Sequence, residues 1–183
     1  QGIGATSPAR GYVGLVAEKL RQASGRPVRV INLSRSGAVI ADVFSDQLPR
    51  LTALKPDVVT VAVGGNDVWR GASLPELEER FGRLAAALPA GSILADVPCF
   101  GGGQAERKVQ AISPLVEQLC REHDLVFAPL HQTTHPHHRD RRQYARDWFH
   151  PSDAGYVVWA QALWAGVERQ LNANDRSIPK HAY

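Results

Sequence analysis

Asp147 and His150 stand three residues apart in the run Asp147-Trp148-Phe149-His150-Pro151-Ser152-Asp153-Ala154-Gly155-Tyr156. One tight turn brings such side chains to the same side. A carboxylate against one imidazole nitrogen fixes the tautomer and stabilises the imidazolium. The other nitrogen is then free to take a proton from a nucleophile. Asn66 lies in Gly64-Gly65-Asn66-Asp67, directly after a β-branched run. Its amide can donate to a developing oxyanion, and the two glycines let backbone and substrate approach. Gly37, in Asn32-Leu33-Ser34-Arg35-Ser36-Gly37, offers a backbone N–H to the same oxygen. Each signal also has a plainer reading. Asp-x-x-His makes a surface turn, Gly-Asn-Asp is ordinary turn composition, and Gly37 can simply start a helix. Trp148 and Phe149 either line an acyl pocket or fill core.

These residues need a frame, and the hydrophobic pattern supplies one. Tyr12, Val13, Val16, Ala17 and Leu20 repeat three and four apart, as one helix face requires. Val28 to Leu33 reads as a short strand. Val39 to Leu54 reads as a helix that Pro49 breaks or kinks. Val58 to Val63 is continuous and β-branched, the pattern of a strand buried on both faces. Ser73 caps a helix to about Leu88, with Glu76 as its capping-box partner. Strands at 93–97 and 125–130 flank a helix from Gln104 to Glu122, and a last helix opens at Ser152 or Asp153. A tail is expected from residue 172 to 183. Strands alternating with helices predict one three-layer α/β/α domain over 1–183 with a parallel, doubly wound, flavodoxin-like sheet. Ligands bind such a sheet at the carboxyl ends of its strands, where Gly37, Asn66 and His150 all fall.

In this order and placement the blocks resemble the SGNH hydrolases, the GDSL-type esterases and acylhydrolases. Gly37 matches the family's glycine block, which usually carries a further glycine near Ser34. Asn66 matches the asparagine block; Asp147 and His150, followed by Pro151, Gly155 and Tyr156, match the histidine block. The resemblance implies that His150 is the base and Asp147 its orienter, with Gly37 and Asn66 as oxyanion donors; Trp148 and Phe149, near the same strand end, are the substrate-binding candidates on position alone. It implies a serine hydrolase acting on small carboxylic esters or thioesters, with no cofactor and no metal. An acyltransferase using the same site, or a binding module that has lost its nucleophile, would share these residues.

The family's serine block, a strand ending in Gly-Asp-Ser, does not occur here. Gln1-Gly2-Ile3-Gly4-Ala5-Thr6 resembles the stretch just past that serine, and the chain contains no Met. The nucleophile is therefore expected just upstream of Gln1, on a strand of about 5–6 residues. Without that strand these residues are not expected to fold stably alone. Ser36 reads as a turn residue, and no Gly-x-Ser-x-Gly elbow is present.

The remaining features exclude more than they assign. Basic residues number 21 and acidic residues 18, for a net charge of +3, too mild to imply nucleic acid. No apolar run is long enough to span a membrane. Gly2-Ile3-Gly4 lacks the third glycine and the acidic residue of a dinucleotide loop. Cys99 and Cys120 sit at opposite ends of a helix roughly 24 Å long, so both thiols are expected free. Free thiols lean towards the cytoplasm. His131, His135, His137 and His138 lie in a polar stretch, 131–146, among Arg139, Arg141 and Arg142, whose charge opposes a cation. This stretch is expected to be mobile and metal-free.

Overall fold

The computed structural model describes residues 2–177, with side chains through residue 172. The part of the β-branched run that pairs is β1 (Thr60–Ala62). β2 (Ile93–Ala95) and β3 (Val126–Ala128) continue a parallel sheet in the order β1-β2-β3. Thr60 is in register with Ile93, and Ile93 with Val126. The strand period of two divides the core at β2. Leu94 faces one apolar cluster, while Ile93 and Ala95 face the other.

Helices cover both faces. On the Leu94 side, α5 (Leu74–Ala87) and α6 (Gly103–Glu122) contribute Leu77, Phe81, Leu84, Val109, Ile112 and Val116, all fully buried. Each such side chain contributes about 1.5–3 kcal/mol of apolar transfer. On the other side α1 (Tyr12–Ser24) packs on α8 (Asp153–Ser177), joining Val16 to Ala160, Leu163 and Val167. Gly166 lets α8 come close to the sheet, for a Cβ there would sit 2.7 Å from Ile93 Cγ2. The result is three layers, α/β/α. As expected, Ser73 caps α5: its hydroxyl accepts from the Glu76 N–H at 3.4 Å, and the Glu76 carboxylate accepts from the Ser73 N–H at 2.7 Å.

Several expectations change. Residues 28–33 do not form a strand; Val30 and Ile31 are exposed, and β1 pairs only with β2 among the described residues. A strand exists by its ladder, and among the described residues this segment pairs with no other strand. The expected helix 39–54 divides into α2 (Ile40–Asp42), a π-type turn over Val43–Gln47 and α3 (Leu48–Leu54). Pro49 falls in the first turn of α3, where its missing N–H costs nothing. Residues 131–146 are not one loop. They carry α7 (Leu130–Thr134) and tight turns at His135–His137 and Arg141–Gln143. α7 is anchored by Leu130, which is fully buried. α8 continues past residue 172, with Leu171 against the core. The rest of the expected tail, 178–183, lies outside the described residues. Cys99 and Cys120 are both free.

Candidate active site

Beyond β1 the chain turns at Gly64, whose φ is +104°. A Cβ there would meet Phe81 Cζ at 2.7 Å, so only glycine fits between the strand and the core. The turn leads into α4 (Gly65–Trp69), which carries Asn66 and Asp67. The Asn66 amide donates one hydrogen to the Ala38 carbonyl at 2.8 Å, leaving its second N–H to spare. Asp67 is buried and accepts the Ile40 N–H at 3.0 Å and Arg80 Nη1 at 2.9 Å. Arg70 donates to the Gly37 carbonyl at 2.8 Å. Three neighbouring residues of α4 and its cap thus clamp the segment that bears Gly37, itself at φ +72°.

The histidine stands on a turn wound around Asp147. One carboxylate oxygen accepts the N–H groups of Phe149 and His150, both at 3.0 Å, and the other meets His150 Nδ1 at 2.6 Å. The imidazole contact and these two backbone donors hold the Asp147 pKa down at about 2. Trp148 between them adopts φ +58°, a left-handed backbone that a bulky residue occupies only under constraint. The Ala145 N–H donates to the His150 carbonyl at 2.8 Å, and Tyr144 bridges to Pro151. Gly155 permits this packing, since a Cβ there would lie 2.2 Å from the Gln143 carbonyl oxygen.

The start of the described chain packs on the same block. Tyr156 Oη donates to the Ile3 carbonyl at 2.8 Å. Asp153 accepts the Thr6 N–H at 2.8 Å and the Thr6 hydroxyl at 2.6 Å, and its pKa is lowered by both bonds.

One cavity of about 1560 Å³ gathers Gly37, Asn66, Trp148, Phe149 and His150 on its lining. It is larger than an ordinary ligand pocket of about 300–1,000 Å³. It also extends between residues 28–33 and residues 58–63 and reaches α1 and α3. Phe149 does not fill core. With Trp69 at 4.8 Å and Phe100 at 6.5 Å between ring centroids, it forms an aromatic group beside His150. Trp148 is 62% exposed, with the Arg141 guanidinium 5.3 Å over its ring. Asp67, Arg70 and Arg80 were not evident from sequence, because their partners lie far along the chain.

A parallel sheet between two helical layers, with its polar residues at the strand ends, defines a three-layer α/β/α fold. The chain is similar to the crystal structure of an alpha/beta hydrolase enzyme from the metagenome of Lake Arreo, Spain, with TM-score 0.72 and 24% identity, covering 91% of this chain and 87% of that one. It belongs to the GDSL-like lipase/acylhydrolase family, which it matches over residues 1–158. Among relatives, an acetylxylan esterase from Geobacillus stearothermophilus is 26% identical over 154 residues, which is 74% of this chain and 70% of the relative. A crystal structure of an acetylxylan esterase from that organism superposes with TM-score 0.69 at 25% identity, covering 86% of this chain and 80% of that one. The protein is an esterase of the GDSL family.

Proposed function

We propose that the protein is a serine hydrolase that cleaves small carboxylic esters through an acyl-enzyme. The observation that carries this reading is the Asp147–His150 contact at 2.6 Å, on the same cavity as Asn66 and Gly37. The carboxylate holds Nδ1 protonated, so Nε2 is the basic nitrogen. The nucleophile in this reading is a serine in the chain that precedes Gln1. It ends a strand that lies between residues 28–33 and β1. Three features support that placement: the position of residues 28–33 on the cavity lining, the cavity between the two segments, and the seat of Ile3 and Thr6 on the histidine block. With that strand in place the sheet would wind in both directions from it, and the serine would stand at the switch point.

The serine O–H gives its proton to His150 Nε2 as its oxygen bonds the acyl carbon. The resulting oxyanion accepts hydrogen bonds from Asn66, the Gly37 N–H and the serine N–H. His150 returns the proton to the leaving alcohol, then activates water to release the acid. Phe149, Trp69 and Phe100 flank the ester. The acetylxylan esterase relative supports O-acetylated sugars as the first natural esters to try.

The test uses the protein with its preceding segment. A panel of p-nitrophenyl esters should show turnover that prefers short acyl chains, and a fluorophosphonate should label one serine before Gln1. His150→Ala should lower kcat by at least about 10³-fold. Full turnover by that variant, or labelling at a serine within residues 2–177, overturns the mechanism.

A further inference from the structure

We propose that Cys99, His135 and His138 bind one zinc ion at the edge of the cleft. Their ligand atoms lie within 4.8 Å of one another. Neighbouring N and S ligands of tetrahedral zinc stand roughly 3.4–3.6 Å apart, so closure needs shifts of about 1 Å. His135 is exposed and has room to make them.

The surroundings of these atoms already have the form that a metal site requires. His138 Nδ1 lies 2.5 Å from the His135 carbonyl oxygen. A carbonyl only accepts, so Nδ1 carries the proton and Nε2 keeps its lone pair for a metal. Zinc-bound histidines are oriented by this kind of second bond. The Gly101 N–H donates to Cys99 Sγ at 3.2 Å; burial and the neighbouring Glu106 push the thiol pKa up to about 11, so the ion has to displace its proton. The Cys99 N–H in turn donates to Thr134 Oγ1 at 2.9 Å, which fixes the strand end against the histidine segment.

Charge is arranged to suit a cation. Glu106, only 6% exposed, stands beside Cys99 and accepts His131 Nε2 and the Phe100 N–H, each at 2.8 Å. Cys99, Glu106 and His131 form a second set within the same reach. Glu106 and His131 are engaged with each other, however, so the ion sits on the His135–His138 side with Glu106 behind the sulfur. Two of the three arginines that argued against a metal are turned elsewhere: Arg141 lies over Trp148, and Arg142 pairs with Asp140 at 2.9 Å. The sequence reading missed the thiol and the buried carboxylate because both come from outside the histidine stretch.

One thiolate and two imidazoles suit zinc, with water in the fourth position. On binding, the Cys99 S–H bond gives way to S–Zn, and the proton leaves to buffer. No electrons move. Tyr144 Oη donates to the His138 carbonyl at 2.9 Å, so the ion would brace the segment that leads into the Asp147–His150 turn.

The experiment treats the full-length protein with chelator, dialyses it, and titrates it with zinc chloride by calorimetry. Cobalt(II) chloride is titrated in parallel by absorbance. The expected result is one zinc per chain with a Kd of micromolar or below, and a near-ultraviolet thiolate-to-cobalt band. Cys99→Ser should abolish the band and weaken zinc at least tenfold, and His138→Gln should weaken it comparably. His137→Gln, an exposed histidine outside the cluster, should bind like the parent. His135→Gln, also at an exposed position, gives a readout that does not depend on how well the Cys99 variant folds. Absence of stoichiometric zinc binding overturns the proposal. So does binding that survives both Cys99→Ser and His135→Gln undiminished.

Discussion

Asp147 holds His150 at two points, the ring Nδ1 at 2.6 Å and the backbone N–H at 3.0 Å. The same carboxylate therefore builds the turn and orients the imidazole. Asp147→Asn separates the two roles. The Asn oxygen can still accept from the Phe149 and His150 N–H groups, so the turn survives. Its NH₂ would face Nδ1 and favour the wrong tautomer. We expect kcat to fall by about 10²–10⁴ with the melting temperature little changed. An equal loss in melting temperature and activity would mean that the residue matters only for the turn.

The Asn66 amide spends one hydrogen on the Ala38 carbonyl, and in the proposed mechanism its other hydrogen meets the oxyanion. Loss of one oxyanion donor costs about 10²–10³ in kcat. Asn66→Ala should show that loss with KM nearly unchanged, in steady-state assays on a p-nitrophenyl ester. An unaltered kcat removes Asn66 from the mechanism.

Asp67 ties Ile40 and Arg80 together from a fully buried position. Asp67→Ala leaves both donors without their acceptor, and hydrogen bonds to a charged group contribute about 1.5–3 kcal/mol. Urea unfolding should show a loss of about 2–3 kcal/mol. Activity should fall as well, because Ile40 follows the segment that bears Gly37.

Asp153, bonded to Thr6, has a pKa below its unfolded value. Its contribution to stability is therefore present above about pH 4 and is lost as pH falls through the folded pKa. Asp153→Asn should melt a few degrees lower at neutral pH, and the gap should close in acid. Differential scanning calorimetry at several pH values checks this. A gap independent of pH would deny the carboxylate its role.

Phe149 stands at 4.8 Å from Trp69, ring to ring, beside His150. If these rings flank the ester, Phe149→Ala and Trp69→Ala should each raise KM severalfold and change kcat less. A loss confined to kcat would place the rings in support of His150 instead.

Local signals were the legible ones. The capping box at Ser73 and Glu76, the β-branched run before Asn66 and the Asp147–His150 turn each lie within a few residues, so spacing alone revealed them, although that run is only half-buried rather than buried on both faces. The α/β/α layering followed from the same periodicities. Residues 28–33 were misread as a strand because pattern reports side-chain preference, whereas a strand also needs a partner. Cys99 and Thr134 meet across 35 positions, and Asp67 reaches Arg80 across 13. Those contacts belong to the folded sheet and leave no periodic trace.

The bond from Thr6 to Asp153 spans 147 positions of sequence. A ribosome adds about 5–20 residues each second. Gly37 and Asn66 therefore emerge seconds before Asp147 and His150, which share their cavity. The block that holds Asp147 and His150 is pinned to Thr6 only once α8 has begun. The cavity is thus closed on its two sides at different times, and its assembly is a late event in synthesis.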